Sequence, residues 1–136
     1  MRKLAMALCM GLVAGPGLAQ DGWLTVELNK VEPGEAGGCR AFFLFRNLTG
    51  STLDGFEMSL AILDGEGVID RLLTIDAAPL PVGRTTLKLF EIADIGCDSI
   101  SEILLHDIPT CTAAGAEAEC FANLDLVSRA AARLTK

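Results

Sequence analysis

The chain has 136 residues and carries 18 carboxylates against 11 lysines and arginines, for a formal net charge of −7. That excess argues against nucleic acid and anionic lipid as partners, because both need Lys and Arg to neutralise phosphate. With one Trp and no Tyr, the composition offers no aromatic platform for a sugar.

The N-terminus reads as an address. Met1–Ala19 has two early cations, Arg2 and Lys3, an apolar run from Leu4 to Leu18, and small residues near its end. This is the layout of a cleavable secretory signal peptide, with cleavage expected after Ala19. The apolar run is broken by Gly11, Gly15, Pro16 and Gly17. It is too short to remain as a membrane span, and no later stretch approaches the roughly 20 apolar residues needed, so no stable membrane insertion is expected. Cys9 follows Leu8, not a small residue, and sits too early for lipid attachment. It is expected to leave with the signal. The mature chain would keep 117 of the 136 residues and a charge of −9 once Arg2 and Lys3 are gone. That suits one domain, working in the periplasm or outside the cell. The expected division is 1–19 signal, 20–128 globular domain and 129–136 polar tail.

Beyond the signal, short runs with period-two alternation are separated by Gly, Pro, Asn and Asp. Trp23–Val31 sets Leu24, Val26 and Leu28 on one face and Thr25, Glu27 and Asn29 on the other. After a loop at Pro33–Gly38, Ala41–Phe45 is continuously apolar, as a central strand covered on both faces would be. Phe42, Phe43 and Phe45 are therefore expected in the core. Should one face of that strand be uncovered, they would form an apolar patch for a protein partner. Phe56, Met58, Leu60 and Ile62 share one parity, Asp64–Gly67 supplies a turn, and Val68–Ile75 returns as the second arm of a hairpin.

Pro79–Gly83 marks a stop, and Thr85–Phe90 resumes with Leu87 and Leu89 against Thr86 and Lys88. Asp98–Glu102 matches a helix capping box built on Ser99 and Glu102. Pro109 truncates any helix there, so residues 98–108 are expected as a strand, and whether it begins with a helical turn stays ambiguous. Phe121–Val127 closes the series, and Ser128–Lys136 is expected to fray or form a short helix. Seven strands without a long helix predict an all-β sandwich.

The mature chain keeps Cys39, Cys97, Cys111 and Cys120, which allow three pairings. None forms a Cys-x-x-Cys pair, against a thioredoxin-like site or a zinc ribbon, and the single histidine removes most mixed Cys/His metal sites. Cys111 and Cys120 bracket a loop of small residues between two strand-like runs. A bridge there would pin the base of a hairpin loop and leave Cys39–Cys97 to close the long one.

At this point the chain resembles immunoglobulin-like modules of exported bacterial proteins, of the FxLYD type. The residues that carry the likeness are Phe43–Gly50, Leu53 and Phe56, Leu60-x-Ile62-x-Asp64-x-x-Gly67, and Pro79-Leu80-Pro81-x-Gly83. The chain also resembles a group of small exported proteins of alphaproteobacteria, a likeness that implies no activity. An immunoglobulin-like order of strands would bring Cys39 and Cys97 together at the starts of facing strands. The lack of tyrosine removes the usual tyrosine corner, and Trp23 falls in the first strand instead of the third.

No catalytic motif stands out. His106–Asp107 invites a triad, but strand neighbours point to opposite faces, and no Gly-x-Ser-x-Gly elbow is present. Asp64, Glu66 and Asp70 lack the ligand series of a calcium loop, and Asp94 and Asp98 are scattered carboxylates. Asn47-Leu-Thr49 is a formal glycosylation sequon that reads better as turn chemistry. The expectation is therefore a non-enzymatic exported module with no cofactor or metal, acting on an envelope protein by contact. The alternatives are a small-ligand-binding protein or an inhibitor of an envelope hydrolase that presents the Cys111–Cys120 loop.

Overall fold

The computed structural model describes residues 23–136; the expected signal peptide, its cleavage site and Cys9 lie outside the described residues. Nine strands follow in chain order: β1 Trp23–Pro33, β2 Cys39–Leu48, β3 Gly55–Asp64, β4 Ile69–Asp76, β5 Thr85–Ile92, β6 Ile100–Ala113, β7 Ala116–Glu117, β8 Leu124–Ser128 and β9 Arg133–Thr135. They form two sheets, the first ordered β5-β2-β1-β8 and the second β4-β3-β6-β7, with β9 also on β6. The chain is a β-sandwich, as its alternating runs predict.

The inward rows close the core. Leu24, Val26 and Leu28 of β1 and Ala41, Phe43 and Phe45 of β2 meet Phe56, Met58, Leu60 and Ile62 of β3 and Ile103 and Leu105 of β6, all nearly devoid of exposed surface. Phe45 packs edge-on to Phe56 at 6.0 Å between ring centroids, joining the two layers. Each such phenylalanine contributes roughly 1.5–3 kcal/mol by leaving water. Each sheet ends in a strand with one cation on its inward row. Lys88 of β5 stands opposite Phe43, and Arg71 of β4 opposite Ile62.

Both disulfides have the expected pairing, with Cα separations of 4.9 Å for Cys39–Cys97 and 6.3 Å for Cys111–Cys120. The first ties the start of β2 to the 3-10 turn Cys97–Ser99 ahead of β6, and so joins one sheet to the other. The second ties β6 to the 3-10 turn Phe121–Asn123 that leads into β8. The ambiguous segment is a strand entered through a helical turn. Glu102 does not cap it, because its carboxylate instead accepts from Arg133 and Thr135.

The structure corrects three expectations. The tail does not fray or coil. Ala132 and Leu134 are buried, and β9 pairs in parallel with Glu102–Leu104, so residues 129–136 belong to the sandwich. The last long strand starts at Leu124, because Phe121–Asn123 is a 3-10 turn. Finally, β2 is not covered on both faces. Phe43 and Phe45 lie in the core, whereas Phe42 and Leu44 face outward and are only half-buried. A patch made of Phe42, Phe43 and Phe45 together does not form, since period-two geometry sends neighbours to opposite faces.

Candidate interaction surfaces

The outer face of the first sheet carries exposed apolar side chains. Register places Leu89 beside Phe42 and Leu87 beside Leu44 across the β5–β2 ladder, and Trp23 beside Leu48 across β1–β2. Leu87 is 59% exposed, Leu48 54%, Leu89 48% and Trp23 40%. These four are half of the large apolar side chains left open among the described residues, so the concentration on one face is a feature of the fold. Phe42 is partly covered by Lys30, whose Nζ lies 4.7 Å from the ring centre. Around them the charges are paired: Arg40 reaches both Glu91 and Glu32, and Lys30 reaches Glu32. The outward rows of this sheet hold four acids (Glu27, Glu32, Glu91 and Asp125) and three cations (Lys30, Arg40 and Arg46), and Arg129 supplies a fourth on Glu27. The face is apolar and neutral.

Glu27 belongs to this outward row yet is only 2% exposed. Asn29 Nδ2 donates to Oε1 at 2.7 Å, Arg129 Nε to Oε1 at 3.1 Å, and an Arg46 guanidinium nitrogen to Oε2 at 2.9 Å. The Asn29 hydrogen bond, and after it the bond and charge of Arg46 and the charge of Arg129, hold this carboxyl below its ordinary value against the opposing effect of burial. Sequence reading saw only a polar outward residue, because Arg129 lies 102 positions away.

The second sheet is different. Its strands carry Glu57, Asp64, Asp70, Asp76, Glu102, Asp107 and Glu117 against only Arg71 and Arg133. Outward rows run Leu72–Ala61–Leu104 and Ile69–Leu63–Glu102 at one end. Ile69 and Leu72 are 56% and 62% exposed. At the other end Asp76 stands directly opposite Glu57, with Thr110 beyond it, and Asp107 lies in the neighbouring row opposite Ser59.

That neighbouring row also corrects the argument about His106. Register shifts on both sides of Ser59 insert extra residues into β6, so the alternation fails and both His106 and Asp107 are exposed. Ser59 Oγ lies 2.7 Å from His106 Nε2, a nucleophile-to-base distance. Asp107 does not orient the ring; its Oδ1 accepts from the Ile108 amide. No other side chain among the described residues hydrogen-bonds to His106, so the pair lacks the third member that fixes a tautomer.

The Cys111–Cys120 loop is a small hairpin, with β7 returning on Thr112–Ala113. Asp54 anchors it, accepting from Thr112 Oγ1 at 2.8 Å and from the Gly115 amide at 3.0 Å. The Thr112 hydroxyl first, and then the Gly115 amide, hold the Asp54 carboxyl below its ordinary value. A cleft of 360 Å³ lies beside the disulfide, lined in part by Asp107, Pro109, Glu117 and Glu119. The loop apex is Ala113–Ala116, without a large or charged side chain to enter a hydrolase pocket. Asp64 Oδ1 is occupied by the amides of Glu66 and Val68, and Gly67 takes φ +78° to close the turn. Asn47 is buried, its Nδ2 donating to the carbonyls of Ser51 and Leu80 and its Oδ1 accepting from Thr49. The sequon is turn chemistry.

No family model matches the chain, and no curated protein matches it. The FxLYD likeness therefore gains no support from these comparisons. Among solved structures, IrmA from Escherichia coli superposes with a TM-score of 0.60 at 13% identity, over 76% of this chain and 90% of that one. At such identity the likeness shows the fold alone. Two structural disulfides favour a compartment outside the reducing cytosol. Among the described residues no helix is long and apolar enough to cross a membrane.

Proposed function

We propose that this chain is an exported, non-enzymatic, immunoglobulin-like module that acts by protein–protein contact in the cell envelope, docking through the outer face of its first sheet. The observation that carries the reading is the exposed set Trp23, Leu48, Leu87 and Leu89 beside half-buried Phe42 and Leu44. Tryptophan is among the residues that dominate binding energy at interfaces, and the leucines beside it add apolar surface that contact would remove from water. Because the charges on this face balance once Arg129 is counted, and all but Asp125 are paired locally, the partner is a protein presenting an uncharged apolar surface. The sequence of the first nineteen residues and the disulfides support export; the order β5-β2-β1 against β4-β3-β6 supports the immunoglobulin-like reading.

The test is in-cell photocrosslinking, with a photoreactive phenylalanine derivative at Leu89 and, as control, at exposed Glu35 in the turn after β1. A single discrete adduct from Leu89 and none from Glu35 is expected. Equal labelling from both positions, or none from either at native expression, refutes the reading.

A further inference from the structure

We infer that the outer face of the second sheet is a second docking surface, taking a partner segment with arginine or lysine at one end and apolar residues at the other. This goes beyond the contact proposed for the first sheet and concerns the opposite side of the sandwich. Leu72 and Ile69 are 62% and 56% exposed at one end of the face, so an apolar strip lies open in water. At the other end Glu57 and Asp76 are direct cross-strand partners, with Asp107 in the adjacent row. Like charges set opposite each other disfavour the fold. Among the described residues none of these three forms an ion pair. The two cations on the strands of this sheet lie at its other end and are engaged there: Arg71 holds Asp70 and Arg133 holds Glu102. The groups that share the acidic end are Ser59, Thr74, Thr110 and His106, and His106 is bonded to Ser59.

An occupant that brings cations to Glu57, Asp76 and Asp107 and apolar side chains to Leu72 and Ile69 removes the repulsion and covers the strip together. A second copy of this chain offers the same negative face and is repelled. Anionic lipid is repelled for the same reason.

The experiment uses the isotope-labelled exported chain, disulfides intact, titrated with a short synthetic peptide that has arginines at one end and leucines at the other. Its counterpart has glutamates in place of the arginines. The arginine peptide is expected to shift amide resonances of β3, β4 and β6 and to bind more weakly as salt rises. The E57Q/D76N pair weakens it by about fivefold, L72S weakens it as well, and L87S on the first sheet leaves it unchanged. Equal binding of both peptides, shifts that map elsewhere, or no binding overturns the proposal. Self-association of the free chain through this face overturns it in favour of a second copy. Crosslinking from Leu89 is independent of all these outcomes, so either surface can fail without the other.

Discussion

Removing the Cys39–Cys97 bridge, by replacing both residues with alanine, should destabilise the domain more than removing Cys111–Cys120. The sequence separations are 58 and 9 residues. On the chain-entropy relation these correspond to about 4 and about 2.6 kcal/mol at room temperature. Cys39 has no exposed surface, so loss of its sulfur also removes core contacts and adds to the first figure. At roughly 4 °C per kcal/mol for a domain of this size, the expected falls in Tm are roughly 15 °C and roughly 10 °C. Equilibrium urea unfolding followed by circular dichroism measures both, with each pair deleted together so that no stray thiol is left. The reasoning fails if C111A/C120A costs as much as C39A/C97A, because the long bridge closes the larger loop of the unfolded chain.

Phe43→Ala should cost about 3–5 kcal/mol as a core truncation, while Phe42→Ala next to it should cost about 1 kcal/mol, the value of an exposed cation–π contact; paired urea melts read the difference. The Glu27 carboxyl is held below its ordinary value in the folded chain. Its contribution is therefore present above the unfolded-state value near 4.5 and is lost as pH falls through the lower folded value. Acid titration of Tm should show Glu27→Gln flattening that limb and costing about 1–2 kcal/mol at neutral pH, since the two charge-assisted bonds lost end on arginines that water can resolvate. Because Glu57 and Asp76 face each other, E57Q/D76N should stabilise by about 0.2–1 kcal/mol, a gain that shrinks with added salt; a loss would contradict the repulsion.

How far the sequence could be read depended on whether one periodicity held. Phe56, Met58, Leu60 and Ile62 alternate with smaller or polar neighbours, so the face of β3 and its hairpin with β4 were legible, as were the bridges bracketing their loops. Ala41–Phe45 has apolar residues on both parities, which hides that Phe42 and Leu44 point outward. Alternation also assumes an unbroken ladder, and the extra residues in β6 opposite Ser59 break it, which brought His106 and Asp107 into the open together. The tail was misread because Ala132 and Leu134 are too few to show a pattern, though both are buried. Glu27 shows the same limit from another side. Its arginines are fixed by tertiary placement, and no local signal announces them.

The inward cations at the rims, Lys88 on β5 and Arg71 on β4, limit how this molecule can associate. A newcomer laying its backbone along either rim would have to strip water from a buried-side ammonium or guanidinium, which is the defence edge strands use against endless stacking. Growth into fibrils and capture of extended donor peptides are thereby disfavoured at these two rims. Recognition is steered to the flat sides of the sandwich, where side chains, and not main-chain ladders, set what is bound.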